Sequence, residues 1–155
     1  MSGVSRRDVL VGGLAVVAAG GAVLGQDPVA APALAAGDFA GGAKVFEVGK
    51  VAEAKQANGA ARKSVFDGRL ATGEFVSAHE SWAPEGTPAS PTHVIKHSEM
   101  IVVLEGTMEL LHDGRVDKAV AGDVIYVAYG TNHAVKNAGA GVARYMVFQM
   151  GGDTK

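Results

Sequence analysis

The sequence contains no cysteine among its 155 residues. This absence excludes disulfide bonds, a thiol nucleophile and a lipidated cysteine. Histidine and carboxylate side chains are therefore the only strong metal ligands that the chain offers. Charged residues are also sparse, at 19% of the sequence, and they form neither a basic tract nor an acidic tail. Nucleic acid is consequently not expected as a partner.

The N-terminus is arranged like an export signal. Arg6 and Arg7 are adjacent and precede an uncharged, glycine-rich apolar run at residues 9–24, and small residues follow at 30–36. This order is typical of a secretory signal peptide, and the arginine pair resembles the twin-arginine type. The sequence therefore predicts a signal peptide at residues 1–36, recognised by the twin-arginine export machinery, and a mature protein that is periplasmic or secreted. The alternative is an uncleaved membrane anchor, which the short length of the run disfavours.

The rest of the chain, residues 37–155, is predicted to form one all-β domain. Helical periodicity is hard to find there, and short apolar or alternating stretches are separated by glycine, asparagine and proline. Asp113 and Gly114 indicate a tight hairpin turn, residues 83–92 form a proline-containing loop, and a helical turn is expected within residues 51–62. The predicted strands cover residues 44–48, 64–70, 74–82, 100–104, 107–111, 123–128, 133–136 and 142–150. Many short strands at this spacing favour a sandwich or a small closed barrel.

Two clusters of glycine, histidine and other polar residues stand out within this domain. The first is THVIKHSEMIVVLEG, with His93, His97, Glu99 and Gly106. The second is GDVIYVAYGTNHAVKN, with Gly122, Gly130, His133 and Asn137. In order and spacing they resemble the two signature motifs of the cupin superfamily, with Ala128 where proline is usual. The resemblance spans roughly residues 75–150 and implies a cupin-type double-stranded β-helix, which is a jelly-roll barrel.

The resemblance also implies a metal centre inside the barrel. Cupins usually hold their ion with three histidines and a glutamate, and the second of those histidines is replaced here by Ile95. The remaining candidate ligands are His93, Glu99 and His133, and His97 either supplies the missing imidazole or is only a neighbour. Two histidines and a carboxylate are enough for iron, manganese or zinc and leave coordination positions open. Since an extended strand would separate residues 93 and 99 by about 20 Å, the chain must turn between them.

Other side chains of this domain have mainly structural interpretations. Tyr145 is expected in the core or in the cavity wall, because aromatic side chains mostly fill space. His79 either faces the cavity or is structural, and Asn137 is expected to orient a turn rather than to touch a ligand. No arginine or lysine can be assigned to the pocket from the sequence, so the charge of a ligand is left open.

Three functions remain open at this stage. The first is a metal-dependent enzyme with oxygenase-like or isomerase-like activity on a small molecule. The second is a non-catalytic periplasmic protein that binds a small ligand at a degenerate metal site, which Ile95 favours. The third is a metal-free epimerase with a histidine base. No catalytic residue is assigned, and the resemblance to cupins, which are frequently dimers, allows a homodimer.

Overall fold

The computed structural model describes residues 38–39 and 42–152, so the predicted signal peptide lies outside the described residues. This part of the chain consists of β-strands and one 3₁₀ helix at Val48–Lys50, without an α-helix. Accordingly, none of its helices has the length and apolar character needed to cross a membrane. The strands are β1 Asp38–Phe39, β2 Ala54–Lys55, β3 Ala61–Leu70, β4 Phe75–Ala83, β5 His93–Val94, β6 Ser98–Glu105, β7 Thr107–His112, β8 Arg115–Val120, β9 Val124–Val127, β10 Asn132–Asn137 and β11 Ala143–Met150.

The strands form two sheets. The larger sheet has seven strands in the order β1-β3-β4-β11-β6-β9, with β2 paired to β3, and the smaller has four in the order β5-β10-β7-β8. Pairing between the described strands is antiparallel except for β1 with β3. From β5 onward the chain crosses repeatedly from one sheet to the other. Strands that are distant in sequence therefore become neighbours, as in a jelly roll.

The hydrophobic core lies between the two sheets, because both turn an apolar face inward. Ile101 and Val103 from β6 are each 1% exposed, and they pack with Met108 of β7, which is 0% exposed. Burying each of these side chains contributes about 1.5–3 kcal/mol. The remaining buried members of the core are Ile95, Leu110, Ala119, Ile125, Val127, Ala143 and Val147.

Most of the predicted strands are confirmed, with their ends moved by a few residues. The predicted strand at residues 44–48 is wrong: the segment pairs with none of the described strands, and Phe46 instead packs on Phe66, with ring centroids 4.7 Å apart. The helical turn predicted within residues 51–62 is also wrong, since that segment holds β2 and the start of β3. The hairpin turn is confirmed: Asp113 and Gly114 both have positive φ, at 46° and 72°. Two consecutive positive φ angles define the tight turn that matches strand twist.

Candidate ligand-binding site

A cavity of about 340 Å³ is lined by both sheets and by the loop between β4 and β5. Its walls include inward-facing side chains of β3, β4, β6 and β11 from the larger sheet. The smaller sheet contributes β5 and β10. A cavity of this volume suits one metabolite-sized molecule. The strand register determines which polar groups meet inside it.

One row of polar side chains crosses the larger sheet. The Cα of Gln149 is paired with Ser77 on one side and with Glu99 on the other, so the three side chains lie next to each other. The hydroxyl of Ser77 donates to Oε1 of Gln149 at 2.9 Å, and Nε2 of Gln149 donates to Oε1 of Glu99 at 3.0 Å. This chain of hydrogen bonds holds the Glu99 carboxylate in one position. Gln149 was not found by the sequence reasoning, although its alternation with Tyr145 and Val147 along β11 would have indicated an inward position.

Two histidines complete the surroundings of the Glu99 carboxylate. Nε2 of His97 lies 2.9 Å from Oε1, and Nε2 of His133 lies 3.5 Å from Oε2. Burial of Glu99 acts to raise its pKa, but hydrogen bonds from His133, His97 and Gln149 outweigh that effect and lower the pKa to about 2. Glu99 is therefore a buried anion at neutral pH, stabilised by protein donors.

His93 reaches the same cluster from the smaller sheet. It is the Cα partner of His133, and the two imidazole rings are 4.9 Å apart between centroids. Its Nδ1 lies 2.9 Å from the carbonyl oxygen of Pro91, so Nδ1 carries the donated proton and Nε2 is left as an acceptor. The turn predicted between His93 and Glu99 is confirmed, since β5 and β6 belong to different sheets. The structure thus brings together the candidates that the sequence indicated.

As placed, these donors do not make a metal-ligand set. Within residues 38–39 and 42–152, no three histidine, aspartate or glutamate side chains are grouped so that they could hold an ion. In the part of the chain that the structure describes, the buried Nδ1 atoms of His97 and His133 have no hydrogen-bond partner, whereas metal-bound histidines usually donate that N–H to a second group. Ile95 does not point at the cluster but belongs to the hydrophobic core, where it is 3% exposed. The residues fit a hydrogen-bonded cluster better than a coordination sphere.

A second polar group lines another part of the cavity, and the sequence reasoning missed it. Arg62 and Tyr145 are both Cα partners of Ser81, so the three side chains lie next to each other on β3, β4 and β11. Burial raises the pKa of the Tyr145 phenol, while the Ser81 hydroxyl and the Arg62 charge act in the opposite direction. Arg62 lies just before the predicted strand at residues 64–70, so its place on β3 at the cavity was not considered.

His79 lies between the two polar groups. It is the Cα partner of Val147, is 9% exposed, and has a buried Nδ1 without a hydrogen-bond partner among the described residues. Burial and, to a smaller extent, the charge of Arg62 lower its pKa to about 4, against the opposing charge of Glu99. The imidazole is therefore neutral at pH 7.

Asn137 orients a turn, as predicted. Its amide nitrogen donates to the carbonyl oxygens of Ala83 and Gly141, both at 2.8 Å, and its amide oxygen accepts from the Gly139 N–H at 2.9 Å. These three bonds tie the loop after β10 to the end of β4. Because all of them are to backbone groups, the side chain is committed to structure and not to a ligand.

The comparison with known families agrees with this architecture. Residues 80–148 match the family model described as the cupin domain. The architecture is all-β and is that of the cupin double-stranded β-helix. The matched segment is similar to cupin domains, and the structural neighbours share this fold. Among curated proteins, none matches this sequence.

Similar solved structures show the same fold at low sequence identity. An RmlC-like cupin from Shewanella frigidimarina is 18% identical, with a TM-score of 0.60 over 72% of this chain and 95% of its own. A predicted oxalate decarboxylase from Thermotoga maritima is 14% identical, with a TM-score of 0.59 over 70% and 99%. The polyketide cyclase RemF from Streptomyces resistomycificus is 20% identical, with a TM-score of 0.56 over 70% and 79%. Their varied descriptions indicate that the fold alone does not determine the activity of a protein.

Proposed function

We propose that this protein is an exported cupin that binds one small molecule inside its barrel, at a site where the family's metal centre is degenerate. The observation that carries this proposal is the cavity of about 340 Å³ with polar groups at two ends. Export rests on the arginine pair and the apolar run that follows it in the sequence.

The hydrogen bonds that Glu99 already accepts favour binding of a small molecule without a metal. Its Oε1 already accepts two protein N–H groups, and Oε2 faces a histidine nitrogen at 3.5 Å. An anion satisfied in this way needs no cation to be stable in the interior. The cavity next to it is lined by both apolar and hydrogen-bonding side chains, which is the usual composition of a small-molecule site.

The test is to identify what the protein carries. Native mass spectrometry of the protein purified from the periplasm should show a bound small molecule. Val135→Phe should prevent binding, because Val135 is half-buried and lines the cavity. Val120→Phe is the matched control, since Val120 is 49% exposed and does not line the cavity. Equal occupancy in the two variants, both folded by circular dichroism, would contradict a ligand in the barrel.

A divalent metal is the second candidate, favoured by the convergence of His93, Glu99 and His133. Elemental analysis of the periplasmic protein, followed by titration with iron, manganese and zinc, decides between the two. Stoichiometric metal that His133→Ala removes would establish a metal centre and overturn the degenerate site. Ile95→His is expected to destabilise the protein and not to tighten binding, because the new imidazole would enter the hydrophobic core.

A further inference from the structure

The cavity contains an arginine that has no carboxylate partner among the described residues. Arg62 lines the cavity and, across the described residues, its guanidinium forms neither an ion pair nor a hydrogen bond to a side chain. Glu99, the carboxylate that lines the described cavity, is already hydrogen-bonded by His97, His133 and Gln149. A guanidinium presents a planar fork of donors that matches a carboxylate with two parallel hydrogen bonds.

Two hydroxyl groups stand beside that guanidinium. Ser81 is paired in register with Arg62 on one side and with Tyr145 on the other, and all three line the cavity. Burial keeps the Tyr145 phenol protonated at neutral pH by raising its pKa. Both hydroxyls can therefore donate to an oxyanion that rests on the guanidinium.

We propose that the ligand is a small monocarboxylic acid whose carboxylate is held by Arg62, Ser81 and Tyr145. This proposal rests on the proposed function and specifies its ligand. The rest of the ligand extends past His79 and Val147 towards Glu99. Oε2 of Glu99, whose protein neighbour is Nε2 of His133 at 3.5 Å, can still accept a hydrogen bond from a donor at that end of the ligand.

The charges of the cavity select against a second negative group on the ligand. Glu99 is anionic at the far end, so it repels a second carboxylate of a dicarboxylic acid. His79 is neutral at pH 7 and adds no positive charge to that of Arg62. Lys136 also lines the cavity but is paired with Glu109 at 2.8 Å, so among the described lining residues Arg62 is the arginine or lysine left for the ligand. One such cation facing one anionic group favours a monoanion over phosphate or a diacid.

The experiment compares acids with their own amides. Lactate and benzoate are titrated calorimetrically into the full protein, against lactamide, benzamide, succinate and inorganic phosphate. The variants are Arg62→Gln and Lys63→Gln, which remove the same charge from adjacent positions of β3. Lys63 is the control, because its ammonium lies 5.2 Å from the Trp82 ring centroid and it does not line the cavity. Circular dichroism confirms that both variants are folded.

At least one of the two acids should bind to the wild type and to Lys63→Gln with equal affinity. Arg62→Gln should weaken that binding about 10- to 100-fold, as expected for loss of a charge-assisted pair, and Arg62→Lys should fall in between. The amides, succinate and phosphate should bind more weakly than the acid.

Equal binding of an amide and its acid, or equal affinity of Arg62→Gln and Lys63→Gln, would overturn the inference. Preferred binding of phosphate or succinate would also overturn it. A third outcome is that no probe binds, while the periplasmic protein carries a molecule that Val135→Phe excludes. In that case the proposal of a monocarboxylate ligand is wrong and the proposed function stands. If the periplasmic protein carries no bound molecule, the proposed function itself is contradicted.

Discussion

Protonation of His79 should destabilise the fold in mild acid. The imidazole is buried and neutral, and its pKa is lowered from 6.5 to about 4, by burial first and then by the Arg62 charge. In the unfolded chain the same group has its ordinary pKa near 6.5. Between these two values the unfolded state binds more protons than the folded state, so the free energy of unfolding falls as the pH falls.

The magnitude follows from the two pKa values. A difference from 6.5 to about 4 corresponds to about 3 kcal/mol in full, at about 1.4 kcal/mol per pH unit. Above pH 7 the titration of His79 does not lower the free energy of unfolding. By pH 4.5 it has lowered the free energy of unfolding by about 2 kcal/mol. Below pH 4 the folded state also becomes protonated, and no further loss arises from this group.

Urea unfolding at pH 7.0, 5.5 and 4.5 measures the effect directly. His79→Gln removes the titrating group, so the pH-dependent loss should be smaller in the variant by about 2 kcal/mol. His112→Gln is the control, because His112 is hydrogen-bonded to Asp117 at 2.7 Å, which raises its pKa. Replacement of His112 should not reduce the loss of unfolding free energy between pH 7.0 and 4.5. If His79→Gln loses as much stability as the wild type between pH 7.0 and 4.5, the interpretation of His79 as a buried neutral imidazole is refuted.

The remaining predictions concern two structural positions and the export signal. Asn137→Ala should lower the free energy of unfolding by about 2–4 kcal/mol, since three hydrogen bonds to backbone groups are lost. Denaturant titration checks this, and a loss below 1 kcal/mol would be inconsistent with those bonds. Gly106→Ala should be more harmful than Gly114→Ala. Both positions have positive φ, costing about 1–2 kcal/mol, but a Cβ at Gly106 would also approach a backbone carbonyl oxygen to 2.7 Å. Equal melting temperatures of these two variants would argue against the close approach. Replacing Arg6 and Arg7 together by lysine should leave an uncleaved precursor in the cytoplasm. Cell fractionation with immunoblotting tests this, and normal periplasmic levels of the double variant would remove the twin-arginine interpretation.

Local chain chemistry was enough to predict several features. The turn at Asp113 and Gly114 depends on two residues that tolerate positive φ, so it is readable from neighbours in the sequence alone. Two core strands were readable for the same reason: β6 from its continuous apolar run and β7 from its alternation, which are both properties of a single strand. The spacing of the two histidine-containing motifs likewise brought His93, Glu99 and His133 together in the structure.

Other features depend on partners that the sequence does not place. The segment at residues 44–48 is apolar enough for a strand, yet Phe46 packs against Phe66 and the segment pairs with none of the strands that the structure describes. Gln149 became a partner of Glu99 only through the register between β6 and β11, two strands that are far apart in the chain. Ile95 occupies a ligand position of the motif, but packing directs its side chain into the core.

The sequence by itself determined the all-β domain, its hairpin turn and the histidines that lie near Glu99, because each follows from local pattern or from motif spacing. Only the tertiary structure decided what the cavity contains. Arg62, Ser81 and Tyr145 come from three strands, and inter-strand register alone sets them next to each other. That register is fixed by the burial of whole strand faces, since a shift by one residue would turn every inward side chain outward. The charge available to a ligand is therefore a property of the assembled sheet and not of any one segment.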